Sequence, residues 1–93
     1  MVSRGVEIEI EYCDECGYLE PALRLTQALL QTHSHYIAGV KLVPSGDGAF
    51  EVTIDGELVH SAIETARFPK ADEIRAALQQ RVRPVPNVLG PAR

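Results

Sequence analysis

The chain has 93 residues, 45% of them apolar and 24% charged, with a formal net charge of −4. That length holds one domain with one modest core. The nine basic residues are scattered, which excludes the basic stripe that a sequence-independent grip on nucleic acid requires.

Residues 6–12, Val-Glu-Ile-Glu-Ile-Glu-Tyr, alternate strictly. Val6, Ile8, Ile10 and Tyr12 point one way and Glu7, Glu9 and Glu11 the other, the period of a half-buried strand. Cys13 stands at the C-terminal end of that strand. The same glutamates interrupt any secretory apolar segment, and no run of about 18 apolar residues offers a membrane span. A cytoplasmic protein with no nucleic-acid or membrane partner is expected.

From residue 18 to 33 the period changes to helical: Leu19, Ala22, Leu23, Thr26, Leu29, Leu30 and His33 share a face, with Glu20, Arg24, Gln27 and Gln31 opposite. Pro21 suits the first turn, where a missing N–H costs little. Residues 39–43, Gly-Val-Lys-Leu-Val, read as a second strand, and 44–48 as a loop. Phe50, Val52 and Ile54 alternate with Glu51 and Thr53 in a third strand over 49–54. Asp55-Gly56 is a strong hairpin signal, so residues 57–60 form an antiparallel fourth strand. After the break at Phe68-Pro69, residues 70–82 place Ala71, Ile74, Ala77, Leu78 and Val82 on one helical face. The domain is expected over 1–83, followed by a loose proline-rich tail over 84–93.

The order strand, helix, strand, strand, strand, helix predicts an α/β fold: a four-stranded mixed sheet with two helices on one face. The first two strands are parallel, because a strand–helix–strand crossover joins them. The glutamate side of the first strand should stay open to water, since a strand covered on both faces reads as a continuous apolar run.

Only two cysteines occur, in Tyr12-Cys13-Asp14-Glu15-Cys16-Gly17-Tyr18. A secreted domain of this size usually carries four or more, spread along the chain. A C-x-x-C between a strand end and a helix start suits thiol chemistry: the pair closes a disulfide across one turn, and the helix N-terminus favours a thiolate. Cys13, at the exposed turn, is read as the attacking thiol, and Cys16, entering the helix and packing beneath the turn, as the resolving one. Asp14 and Glu15 oppose the helix terminus, which points to a reducing pair. Tyr12 and Tyr18 flank the thiols as a candidate aromatic rim for substrate. Arg67 is a candidate for a carboxylate such as that of glutathione, set against a structural pair with Asp72 or Glu73. His60 reads as a packed histidine, with a general-base role as the alternative. His33 and His35 could complete a zinc set with the cysteines. The spacing between the histidines is short, however, and about four helical turns separate them from the thiols, so no metal is expected.

The strand ending in Tyr-Cys-x-x-Cys-Gly-Tyr, the later Phe50-Glu51-Val52, Asp55-Gly56-Glu57-Leu58-Val59, Ser61 and Arg67-Phe68-Pro69 together resemble the selenoprotein W-like (Rdx) family over about residues 5–82. The resemblance implies a thioredoxin-like fold and thiol-based oxidoreductase activity, some members being linked to glutathione. Cys13 matches the cysteine kept in every version of the motif, and Cys16 a second thiol that not all members share. Ala62 and Ala66 stand where many members have a basic residue and a glycine. The expected function is thiol–disulfide exchange with protein disulfides or glutathione, without a resident cofactor. The alternative is a non-catalytic interaction module of the same fold.

Overall fold

The order of the strands decides what the site can look like, and β1 (Val6–Cys13) lies inside it. The computed structural model describes residues 5–81. The chain runs β1, α1 (Leu19–His33), a 3-10 turn at Ser34–Tyr36, β2 (Ile37–Ser45), β3 (Phe50–Ile54), β4 (Glu57–Ser61), α2 (Ala62–Thr65) and α3 (Ala71–Arg81). The sheet order is β2-β1-β3-β4. β1 runs parallel to β2, with Ile8 beside Val40 and Cys13 beside Ser45. It runs antiparallel to β3, with Tyr12 beside Phe50. The mixed sheet, the parallel first pair and the antiparallel hairpin all follow the expectation. The tail over 84–93 lies outside the described residues.

The alternation in β1 sorts its side chains as the period requires. Val6, Ile8, Ile10 and Tyr12 are buried with Val52 and Ile54 of β3, and with Leu25 and Leu29 of α1 and Ile74 and Leu78 of α3, in one cluster. Each fully buried side chain of this size contributes about 1.5–3 kcal/mol relative to exposure. Both long helices therefore lie on the same face. Glu7 is exposed, and Glu9 and Glu11 are half-buried. Glu11 Oε2 accepts a hydrogen bond from Ser45 Oγ at 2.8 Å.

Two segments differ from the sequence reading. β2 begins at Ile37 and extends through Pro44 and Ser45, beyond the expected 39–43 at both ends. Asp14 N–H donates to Ser45 O at 2.9 Å, so the Ser45 carbonyl faces β1 and the ring nitrogen of Pro44 faces away from it. An edge strand tolerates proline in that orientation because no ladder hydrogen bond is lost. The second addition is α2, a single turn without apolar period of its own. Its Ser61 Oγ accepts from Glu64 N–H at 3.2 Å, the N-cap bond that closes such a turn.

α2 ends at Ala66, whose φ of 60° is left-handed. A Cβ in that region costs roughly 1–2 kcal/mol, and glycine removes it. Ala66→Gly is therefore expected to raise unfolding stability by about 0.5–1 kcal/mol, read as a higher urea midpoint at unchanged slope. An unchanged or lower midpoint would count against strain at this cap.

Candidate redox site

Because β2 and β3 flank β1, the link between them must pass over the C-terminal end of β1. That link is residues 46–49. Asp47 and Gly48 both take positive φ, 60° and 74°, and Ala49 N–H closes the turn on Gly46 O at 3.1 Å. Cys13 sits at the strand end beneath this turn. Its N–H donates to Ala49 O at 2.7 Å, and the next residue, Asp14, donates to Ser45 O on the other side. The consequence is burial: Cys13 is 1% exposed.

Cys16 is placed differently. Residues 14–18 form turns rather than helix, and α1 begins only at Leu19. Gly17 adopts φ +79° with open space around its Cβ position, a conformation glycine takes without strain. Gly17 N–H donates to Asp14 O, and Tyr18 N–H to Cys13 O, so the loop folds back on itself and leaves Cys16 exposed. The two cysteines form a disulfide with Cα atoms 5.3 Å apart.

This geometry corrects the expected exposures. Cys13 is the buried cysteine and Cys16 the exposed one, the reverse of the reading in which Cys16 enters the helix. The extra Gly17-Tyr18 step delays the helix, and the crossing turn covers the strand end. A signal for this existed: a strand parallel to its successor and paired with a hairpin is central, so its last residue has neighbours on both sides.

The aromatic rim is corrected in one half. Tyr12 is 6% exposed and belongs to the core, so it presents nothing to a substrate. Tyr18 is half-buried and stands edge-on to Phe68 at 4.8 Å and to Phe50 at 6.5 Å between ring centroids. Phe50 and Phe68 meet at 5.0 Å. No local period marks this trio, since its members come from the cysteine loop, β3 and the turn before α3. Tyr18, Gly48, Ala62, Ala66, Arg67 and Phe68 line a pocket of about 250 Å³. The pocket thus brings together Tyr18, two residues along the chain from Cys16, and Arg67, and leaves Tyr12 out.

Comparison with known proteins decides the family. Residues 7–82 match the Rdx family. The chain belongs to the Rdx family. Its sequence is 34% identical over 76 residues to Migration and invasion enhancer 1 of Bos taurus, and equally to that of Mus musculus. The match covers 82% of this chain and 64% of those relatives, so the chain spans less than two thirds of the curated relatives it matches. Among solved structures, the selenoprotein W-related protein from Vibrio cholerae superposes with a TM-score of 0.81 at 29% identity, covering 85% of this chain and 99% of that one. A protein from Bordetella parapertussis gives 0.77 at 28% identity, covering 82% and 96%. The thioredoxin-like architecture is that of these relatives.

In this Rdx chain, Arg67 does not offer a free fork. Its Nη1 and Nη2 donate to Glu73 Oε1 and Oε2 at 2.7 and 2.6 Å, and Nη1 also reaches Phe68 O. The structural pair is with Glu73, one of the two acids foreseen. His60 is buried, and its Nε2 donates to Arg67 O at 3.0 Å, which holds the turn after α2. His60 is thus a packed histidine. His33 and His35 lie at the far end of α1, and among the described residues no group of three His, Cys, Asp or Glu is placed to hold a metal ion. No described helix is long and apolar enough to cross a membrane.

The hydrogen bonds from Arg67, then that from Lys70 N–H, pull the Glu73 carboxyl down to about 2 from 4.5. A carboxylate depressed in the folded state adds stability that is complete above its unfolded pKa and is lost as pH falls through the folded one. The contribution of this pair is therefore expected to fade between about pH 4.5 and pH 2, and to shrink with salt because both partners are partly exposed. Glu73→Gln should flatten that limb of the thermal-stability profile. An identical limb in wild type and variant would refute the assignment.

Proposed function

We propose that the protein exchanges disulfides with protein or glutathione partners through the Cys13–Cys16 pair, with Cys16 as the sulfur that partners reach. The observation that supports this is the asymmetry of the disulfide, one cysteine buried at a strand end beside the crossing turn and the other exposed.

A partner thiolate attacks Cys16 Sγ. The Cys13–Cys16 bond breaks, and its electron pair leaves on Cys13 Sγ, which takes up a proton. The product is a mixed disulfide at Cys16. A second partner thiol then releases the protein as a dithiol. Run in the other direction, the Cys16 thiolate attacks a partner disulfide, and Cys13 displaces the partner from the mixed disulfide. The N-terminus of α1 begins three residues beyond Cys16 and carries no side-chain cap. Its partial positive charge favours the Cys16 thiolate, and the exposed Asp14 and Glu15 oppose it. In a cytoplasmic setting, where thiols are kept reduced, the dithiol is the resting form.

The test is a thiol count. Two free thiols should appear after treatment with a dithiol reductant and none after mild oxidant, reversibly and without loss of fold. Cysteines that fail to close under mild oxidant would refute exchange and leave the interaction-module reading.

A further inference from the structure

The pocket beside Cys16 bears on which partner class the pair takes, an inference that rests on the exchange reading above. We infer that the Tyr18–Phe68 pocket receives an apolar side chain flanking the reactive cysteine of a protein partner, and that glutathione is the poorer partner.

Three observations lead there. The first is position. Tyr18 is two residues from Cys16, so their Cα atoms lie within about 7 Å of each other by chain geometry. A peptide tethered to Cys16 Sγ by a mixed disulfide has its neighbouring side chains within reach of Tyr18 and the pocket it lines. The second is lining. Tyr18 and Phe68 stand edge-to-face, and Ala62, Ala66 and Gly48 complete the walls. Phe68 is 43% exposed although it is held by two aromatic neighbours. Its ring is therefore a fixed apolar surface left open to solvent, able to gain contact without being reordered. About 250 Å³ accommodates one large aliphatic or aromatic side chain.

The third is charge. Among the described residues that line the pocket the one cation is Arg67, and both its terminal nitrogens are committed to Glu73, so it offers no bidentate clamp to an incoming carboxylate. Asp14 and Glu15 lie within the motif and are exposed, and Asp47 is exposed in the crossing turn. Glutathione brings two carboxylates against one ammonium. It meets these acids with no free counter-charge among the described lining residues and has no large apolar side chain for the pocket. A peptide with an apolar residue before its cysteine meets neither obstacle.

The experiment measures reduction of the oxidised full-length protein by four thiols, each rate corrected for thiolate fraction. They are mercaptoethanol, glutathione and two neutral capped peptides, one with Leu-Phe and one with Ser-Gly before the cysteine. The Leu-Phe peptide is expected to react about tenfold faster than the Ser-Gly peptide. Glutathione should be slower than mercaptoethanol, with the gap narrowing as salt rises. Phe68→Ser should bring the peptide ratio below about twofold. Ala62→Leu, which narrows the pocket from the α2 side and keeps every ring, should lower it as well. Equal peptide rates in the wild type, or a ratio that survives both substitutions, would overturn the pocket while normal reduction by mercaptoethanol leaves exchange standing. Failure of mercaptoethanol itself to open the disulfide would overturn both.

Discussion

Replacing Cys13 with alanine is expected to yield a protein that accumulates mixed disulfides at Cys16, and replacing Cys16 with serine one that accumulates almost none. Both variants lose the same short cross-link, worth about 2 kcal/mol by loop-closure entropy, so the disulfide's contribution to stability cancels between them. What differs is which sulfur remains. In Cys13→Ala the remaining thiol is exposed, reaches a partner disulfide and has no resolving partner, so the adduct persists. In Cys16→Ser the remaining thiol is the one that is 1% exposed in the disulfide form, at the end of a central strand whose last N–H is held by Ala49 of the crossing turn. A thiol covered in this way is a poor nucleophile, because reaction needs both the thiolate and access. Intact-mass spectrometry after incubation with oxidised glutathione or a peptide disulfide reads the outcome directly. Adducts on Cys16→Ser but not on Cys13→Ala would return the roles to those that the motif alone suggests.

That reversal shows where the sequence was legible and where it was not. Period-two alternation in residues 6–12, helical spacing in 19–33 and the Asp55-Gly56 turn are local signals. The structure carries all three elements, down to φ of 51° and 83° in the hairpin, but the buried stripe of α1 is Ala22, Leu25 and Leu29, while Leu19, Leu23 and Leu30 of the expected face are exposed. The cysteine motif was equally plain, and the two cysteines are joined as a disulfide at the strand end. Exposure of each sulfur is not a local property. It depends on β3 pairing with β1 rather than with β2, which sends the Gly46–Ala49 turn across Cys13. No spacing within the motif encodes that. Tyr12 failed as a rim residue for a simpler reason: it shares the parity of Ile8 and Ile10, and alternation had already assigned it to the core. The bidentate hold of Glu73 on Arg67 was legible as one alternative of two, but the choice needed the path of the chain around Pro69.

Phe50→Ala is expected to be the most damaging single truncation near the site, and its effect should be local as well as global. Phe50 is 1% exposed, and truncating a fully buried phenylalanine costs about 3–5 kcal/mol. Against a total of about 5–15 kcal/mol for an ordinary domain, the melting temperature should fall by more than about 12 °C. Leu29→Ala, at a fully buried position of α1, costs about 2–5 kcal/mol and serves as the control for global loss. Phe50 differs from Leu29 in what it anchors. It joins Tyr18 of the redox loop to Phe68 of the turn before α3. It also directly follows Ala49, whose carbonyl holds Cys13 N–H. Losing its ring should loosen the turn that covers Cys13. In the reduced protein, at a temperature where both variants remain folded, alkylation of Cys13 should accelerate by about tenfold in Phe50→Ala, equivalent to ~1.4 kcal/mol of local protection, and stay near the wild-type rate in Leu29→Ala. Equal acceleration in the two variants would mean that Cys13 becomes accessible only through global unfolding. The aromatic trio would then be core packing that happens to lie beside the site.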